Sequence, residues 1–201
     1  MRRVVVLALL ALALPMGAWA DIILTNQFGT VSVSASGVSS FGSQLHSYNG
    51  IVAAPGHSLG SVSFTTGAMS GGTLAGGGTF SSVGSTFNVV GKGNWAQGHN
   101  TAIFSGSFTG SVLWTLTAVS GQLKTYTLSG AISGQLWDGR TVTGTTQQTI
   151  YVLNNKQFSQ GIGHIHTGGT HIFAPEPGTL GLLGTGLVGI AGMFRRKLIG
   201  G

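Results

Sequence analysis

The chain contains no cysteine, so no disulfide can staple it and no thiolate is on hand for catalysis or metal binding. Carboxylates are nearly as scarce, with Asp21, Asp138 and Glu176 forming the full set. A glycosidase normally places two carboxyl groups across the scissile bond, and these residues make an unconvincing pair. Charged residues are 6% of the 201, against about 25% in ordinary soluble proteins. Low charge with 42% hydrophobic residues excludes the composition of a disordered acidic or basic tail. There is no Asn-x-Ser/Thr sequon. No complete phosphate-binding loop is present, and Gly91-Lys92-Gly93 matches one only superficially. Gly56-His57-Ser58-Leu59-Gly60 spells Gly-x-Ser-x-Gly, but no such elbow leads from a strand into a helix. The sequence reads as that of a non-enzyme that needs no cofactor, because groups suited to proton transfer are nearly absent.

What is abundant is glycine, at 36 residues. The formal charge of +6 invites a nucleic-acid reading, but its distribution rejects one. Arg2 and Arg3 open the chain, and Arg195, Arg196 and Lys197 close it. Lys92, Lys124, Arg140 and Lys156 are scattered between, and scattered cations make no phosphate-tracking stripe.

Both ends read as addresses. Arg2 and Arg3, the apolar run Val4 to Leu14, Pro15 and the small-x-small triplet Ala18-Trp19-Ala20 form a secretory signal peptide over 1–20. Signal peptidase is expected to cut after Ala20. At the other end, Pro175-Glu176-Pro177 precedes an apolar, Gly-rich run from Gly178 to Phe194. Thr179 can cap a helix there, and the run sits at the short edge of a membrane span. Arg195, Arg196 and Lys197 are a cytoplasmic stop signal under the positive-inside rule. The two signals agree on one topology, with the domain between them outside.

This ending resembles the PEP-CTERM sorting signal of Gram-negative bacteria, over Pro175 to about Leu198. The resemblance implies recognition of Pro175, Glu176 and Pro177 by exosortase, an integral membrane protease-transpeptidase. It also implies an association with exopolysaccharide and biofilm. The cargo is more loosely similar to the Ser/Thr/Gly-rich β domains often attached to such signals.

The cargo, 21–174, reads as all-β. From Phe104 to Val119 apolar residues and glycines fall at every second position, the period of a half-buried strand pair or one long bent strand. Gly106 and Gly110 are expected to allow a bulge or bend. Val31 and Val33, Val62 and Phe64, Tyr126 and Leu128, and Thr141 to Val152 alternate likewise. Asn49-Gly50 and Asp138-Gly139 suit tight hairpins in which both central residues take positive φ. Gly71 to Gly78 reads as a flexible loop or a flat, weakly specified strand. These features predict an antiparallel β-sandwich or open barrel, flanked by a signal-peptide helix and a transmembrane helix over 178–194. A β-solenoid is the alternative, weakened by the lack of a fixed repeat.

Few residues are candidates for chemistry. His164, His166 and His171 are a weak metal-binding set, with a solvated strand end as the bland reading and no carboxylate near in sequence to orient them. Trp95, in a glycine-flanked loop, is the exposed tryptophan best suited to stack on a sugar ring. Trp114 lies on the buried stripe, and Trp137 and Arg140 flank a turn where they can form a cation–π contact. The expected role is structural or adhesive, in the cell envelope or an exopolysaccharide matrix. A carbohydrate-binding module is the alternative. Expected partners are signal peptidase, exosortase and extracellular polysaccharide, with no nucleic acid.

Overall fold

Period-two alternation of apolar and hydroxyl residues generates strands with one dry face, and each must find a neighbour on both edges. The computed structural model describes residues 21–93, 101–153 and 161–173, all within one unit, Asp21–Phe173. The expected signal peptide, Trp95 and the terminal segment, with the helix expected over 178–194, lie outside the described residues. Among the described residues no helix is long and apolar enough to cross a membrane.

The strands are β1 (Ile22–Gln27), β2 (Thr30–Ser34), β3 (Gly37–Phe41), β4 (Ser43–Tyr48), β5 (Ile51–Val52), β6 (Gly60–Thr65) and β7 (Met69–Thr73). They continue with β8 (Gly77–Phe80), β9 (Thr86–Gly91), β10 (Ala102–Ser120), β11 (Leu123–Leu136), β12 (Thr141–Leu153) and β13 (Gly161–Phe173). Several short strands are halves of one bent stave. β1 and β2 form one, β3 and β4 the next, then β6 with β7 and β8 with β9. The halves pair β1 with β4, β2 with β3, β6 with β9 and β7 with β8, while β6 also joins β3 and β4, and β8 and β9 both join β10. β10, β11, β12 and β13 follow as long antiparallel staves.

The last stave then meets the first. The C-terminal half of β13 pairs with β1, with Ile22 opposite Ile172, and its N-terminal half pairs with β2, with Val31 opposite Gly163. The result is a closed eight-stranded antiparallel barrel, in place of the expected sandwich or open barrel. Alternation is the same in all three architectures, and what separates them is the partner of the first and last strands. Eight staves leave an interior that side chains can fill. Phe64, Phe80, Phe87, Phe104, Phe108, Trp114 and Tyr126 fill it here, and the Phe87 ring meets Phe104 and Phe108 edge-on.

The stretch around 104–119 is one long strand, bent where Gly110 takes φ 74° and the pairing with β11 slips between Thr109 and Leu113. Gly106 instead serves close approach, lying opposite Gly134 across the ladder with no room for a Cβ on either. The Asn49-Gly50 turn has positive φ at both residues, as expected. At the Asp138-Gly139 turn only Gly139 does. Asp138 keeps negative φ because the turn sits one residue earlier: Gly139 N–H donates to the Leu136 carbonyl at 2.9 Å, so Trp137 and Asp138 are the central pair and Gly139 is the left-handed residue after them. The Asp138 carboxylate also accepts the Arg140 N–H at 3.1 Å.

Gly71 to Gly78 is a hairpin of β7 and β8, with defined partners for its tip. Trp114 Nε1 donates to the Leu74 carbonyl and Tyr126 Oη to the Ala75 carbonyl, both at 2.9 Å. The two rings stack beneath that tip at 4.4 Å and 6°. Glycine is needed because Gly72 and Gly78 stand opposite each other at closest approach.

Candidate functional site

The outward positions of β10 to β13 are mostly hydroxyls. Thr115, Thr127, Thr149 and Thr167 stand on neighbouring staves, with Thr149 directly opposite Thr127 and Thr167. An apolar interior under a hydroxyl exterior is the reverse of a membrane-spanning barrel, whose outer band is apolar. A broad open depression of about 650 Å³ crosses this face from β10 to β1, and its lining includes Ser129, Ala131, Thr145, Gln147 and Gly169. Between Asp21 and Lys92 the sequence has no Asp, Glu, Lys or Arg at all.

Aromatic rings gather on the other part of the exterior. Tyr151 of β12 lies opposite His164 of β13, His164 opposite Thr30 of β2, and Thr30 opposite Phe41 of β3. Three strand gaps make this row about 14 Å long. His166 leaves β13 at a bulge, where the register slips between Thr149 and Ile150, and its ring stacks on Tyr151 at 4.5 Å and 19°. Phe41 is 61% exposed.

Phe28, 57% exposed, sits at the corner joining β1 to β2. It holds φ at 63°, followed by Gly29 at 87°. The corner must be this tight, because Gly29 packs against the Phe41 carbonyl and the Ser43 N–H of the neighbouring stave. A left-handed conformation costs a residue with a Cβ about 1–2 kcal/mol, and a bulky side chain there is a true outlier. Phe28 recovers little of that by burial. Beside the corner Gln27 Nε2 donates to His46 Nδ1 at 3.0 Å, and Gln44 pairs with Gln27 across the ladder.

The metal-binding set does not assemble. His164 and His171 are about 20 Å apart along one strand, and His166 is engaged by Tyr151. His171 Nε2 lies 3.1 Å from Asp21 Oδ2 and its ring meets Phe173 edge-on. A carboxylate therefore does orient one histidine. Barrel closure brings it there from the far end of the domain, which sequence proximity had no means to show. Among the described residues no group of three His, Asp or Glu side chains gathers to hold a metal.

Trp114 is core, at 1% exposure, whereas Trp137 is exposed beside its turn. Arg140 Nε donates to Asp138 Oδ2 at 2.6 Å. Desolvation pushes the Asp138 carboxyl up, but the Arg140 N–H, its guanidinium bond and its charge outweigh this and hold the carboxyl below its ordinary value. Tyr48 is partly buried against the core, within reach of both charges. Burial, then the Asp138 charge, raises its phenol above the ordinary value, with Arg140 opposing.

A polar cluster inside the barrel also escaped the sequence reading. Asn26 and Gln148, both fully buried, exchange amide bonds: Asn26 Nδ2 to Gln148 Oε1 at 2.8 Å, and Gln148 Nε2 to Asn26 Oδ1 at 3.2 Å. Asn26 Nδ2 also donates to Ser43 Oγ, Gln148 Nε2 to Thr146 Oγ1, and Thr146 bonds Thr170. Its members come from four strands and satisfy one another, so the cluster fixes strand register and offers no open site.

The model of the PEP-CTERM protein-sorting motif matches residues 174–197. No curated protein and no solved structure matched the chain. The motif implies an exported cell-surface protein sorted by exosortase, carrying the β-barrel as cargo.

Proposed function

We propose that the barrel is a non-enzymatic structural or adhesive component of the cell envelope or exopolysaccharide matrix. The observation that carries this reading is the sorting motif joined to a closed barrel with a sparsely charged, hydroxyl-bearing exterior. Such an exterior suits contact with neutral hydrated polymers, and barrel closure removes most of the free strand edges that promote aggregation. Against a paired-carboxylate glycosidase stands the engagement of both barrel carboxylates, Asp138 by Arg140 and Asp21 by His171. On this reading the 178–194 run holds the protein in the inner membrane, transiently or permanently, with the barrel outside. Signal peptidase removes 1–20 and exosortase acts near Pro175.

The test replaces the natural gene with one lacking residues 21–173 but retaining both terminal signals. Loss of matrix cohesion or surface attachment is the expected result. Unchanged cohesion and attachment overturn the proposed role. Intact-mass analysis of envelope and medium fractions checks the route, with a species from Asp21 to about Pro175 expected. A species retaining 178–201, found only in membranes, overturns the processing step.

A further inference from the structure

We propose that the outer row Tyr151–His164–Thr30–Phe41, with His166 stacked on Tyr151 and Phe28 at the adjoining corner, is a binding track for an extended neutral glycan. This deepens the adhesive reading and rests on it.

Rings stand at both ends of the track, with polar groups between them. Phe41 and Phe28 give apolar faces at one end, each more than half exposed. The Tyr151–His166 stack provides the other end. Between and beside them lie the Thr30 hydroxyl, the His164 imidazole and the Gln27–His46 amide–imidazole pair. Sugar rings present a C–H face that packs on an aromatic ring and a rim of hydroxyls that needs hydrogen-bond donors and acceptors. A length of about 14 Å accommodates several sugars laid across the strands.

The strain at Phe28 is the second, independent observation. Glycine would fit φ 63° freely, and no core packing rewards the phenylalanine. A strained, exposed aromatic ring points to a ligand contact. Selectivity for a neutral chain follows from the residues of the track, none of which is Asp, Glu, Lys or Arg.

The experiment is affinity electrophoresis of the full chain through native gels containing a soluble neutral glucan, mannan or galactan, with anionic alginate as the contrast. Retardation by at least one neutral polymer and not by alginate is expected. Phe41→Ala and Phe28→Gly should each weaken it about fivefold. Phe28→Gly should leave the melting temperature unchanged or raise it, because glycine relieves the strained φ. That separates a lost contact from a lost fold. Trp137→Ala, at a distant turn, should bind as the parent does. No retardation by any neutral polymer overturns the proposal, as does equal retardation by alginate. Undiminished binding by Phe28→Gly and Phe41→Ala, or loss on Trp95→Ala instead, also overturns it. Glycan binding that persists while the barrel deletion leaves cohesion intact would remove the matrix role and keep the track.

Discussion

Replacing Gln148 by Leu tests whether the interior polar cluster stabilises the barrel as a connected unit. Leucine nearly conserves volume, so the cavity contribution is small. The change removes both amide bonds between residues 148 and 26 and the bond to Thr146. Thr146 keeps Thr170, and Asn26 Nδ2 keeps Ser43. Asn26 Oδ1 loses the only partner found for it among the described residues, at a fully buried site. An orphaned buried acceptor costs about 1–3 kcal/mol. The Gln148→Leu chain should therefore be about 2 kcal/mol less stable than the parent. Adding Asn26→Leu removes the orphan as well, so the double variant should lose less than the sum of the singles, with coupling of roughly 1–2 kcal/mol. Urea unfolding read by near-ultraviolet circular dichroism, which reports the stacked Trp114 and Tyr126 rings, measures all four corners of the cycle. Strict additivity, or a Gln148→Leu loss below about 0.5 kcal/mol, would refute the argument that the cluster acts together.

Further outcomes follow from other contacts. Gly134→Ala places a methyl against the Ser105 carbonyl and Gly106 Cα of β10, so melting should fall steeply, by well over the few degrees of a surface change; a variant with parental melting would contradict the close approach. Tyr126→Phe removes the bond to the Ala75 carbonyl, costing about 1 kcal/mol and speeding amide exchange in the 74–77 turn above that in β12. Asp138 has a lowered folded pKa, so its contribution is present above the ordinary carboxylate range and lost as pH falls through the folded value. The stability gap between the parent and Asp138→Asn should thus be open at neutral pH and close in acid; a gap that widens in acid would reverse the sign.

Most strand positions could be read from the sequence because local alternation sets which face of each strand is dry. Val31, Phe64, Phe104, Phe108, Trp114 and Leu128 are all buried as that pattern requires. The bend at Gly110 was equally legible, since glycine marks where a bulged strand can take positive φ. The hairpin of β7 and β8 was not, because its stability comes from Trp114 and Tyr126, far along the chain. The corner at Phe28 was hidden for a related reason. No local preference puts phenylalanine in a left-handed conformation, and it follows from Gly29 packing on a neighbouring stave.

By itself, then, the sequence determined the strand content, the inward residues, the turn at Asn49-Gly50 and the sorting motif at 174–197, since each is written in contiguous residues. Tertiary structure alone decided that the sheet closes, that Asp21 reaches His171, that Asn26 meets Gln148, and that Tyr151, His164 and Phe41 share one outer row. The physical reason is common to these cases. A period of two says which way a side chain points, but the identity of its cross-strand neighbour depends on strand order and register, which emerge only when the last stave pairs with the first.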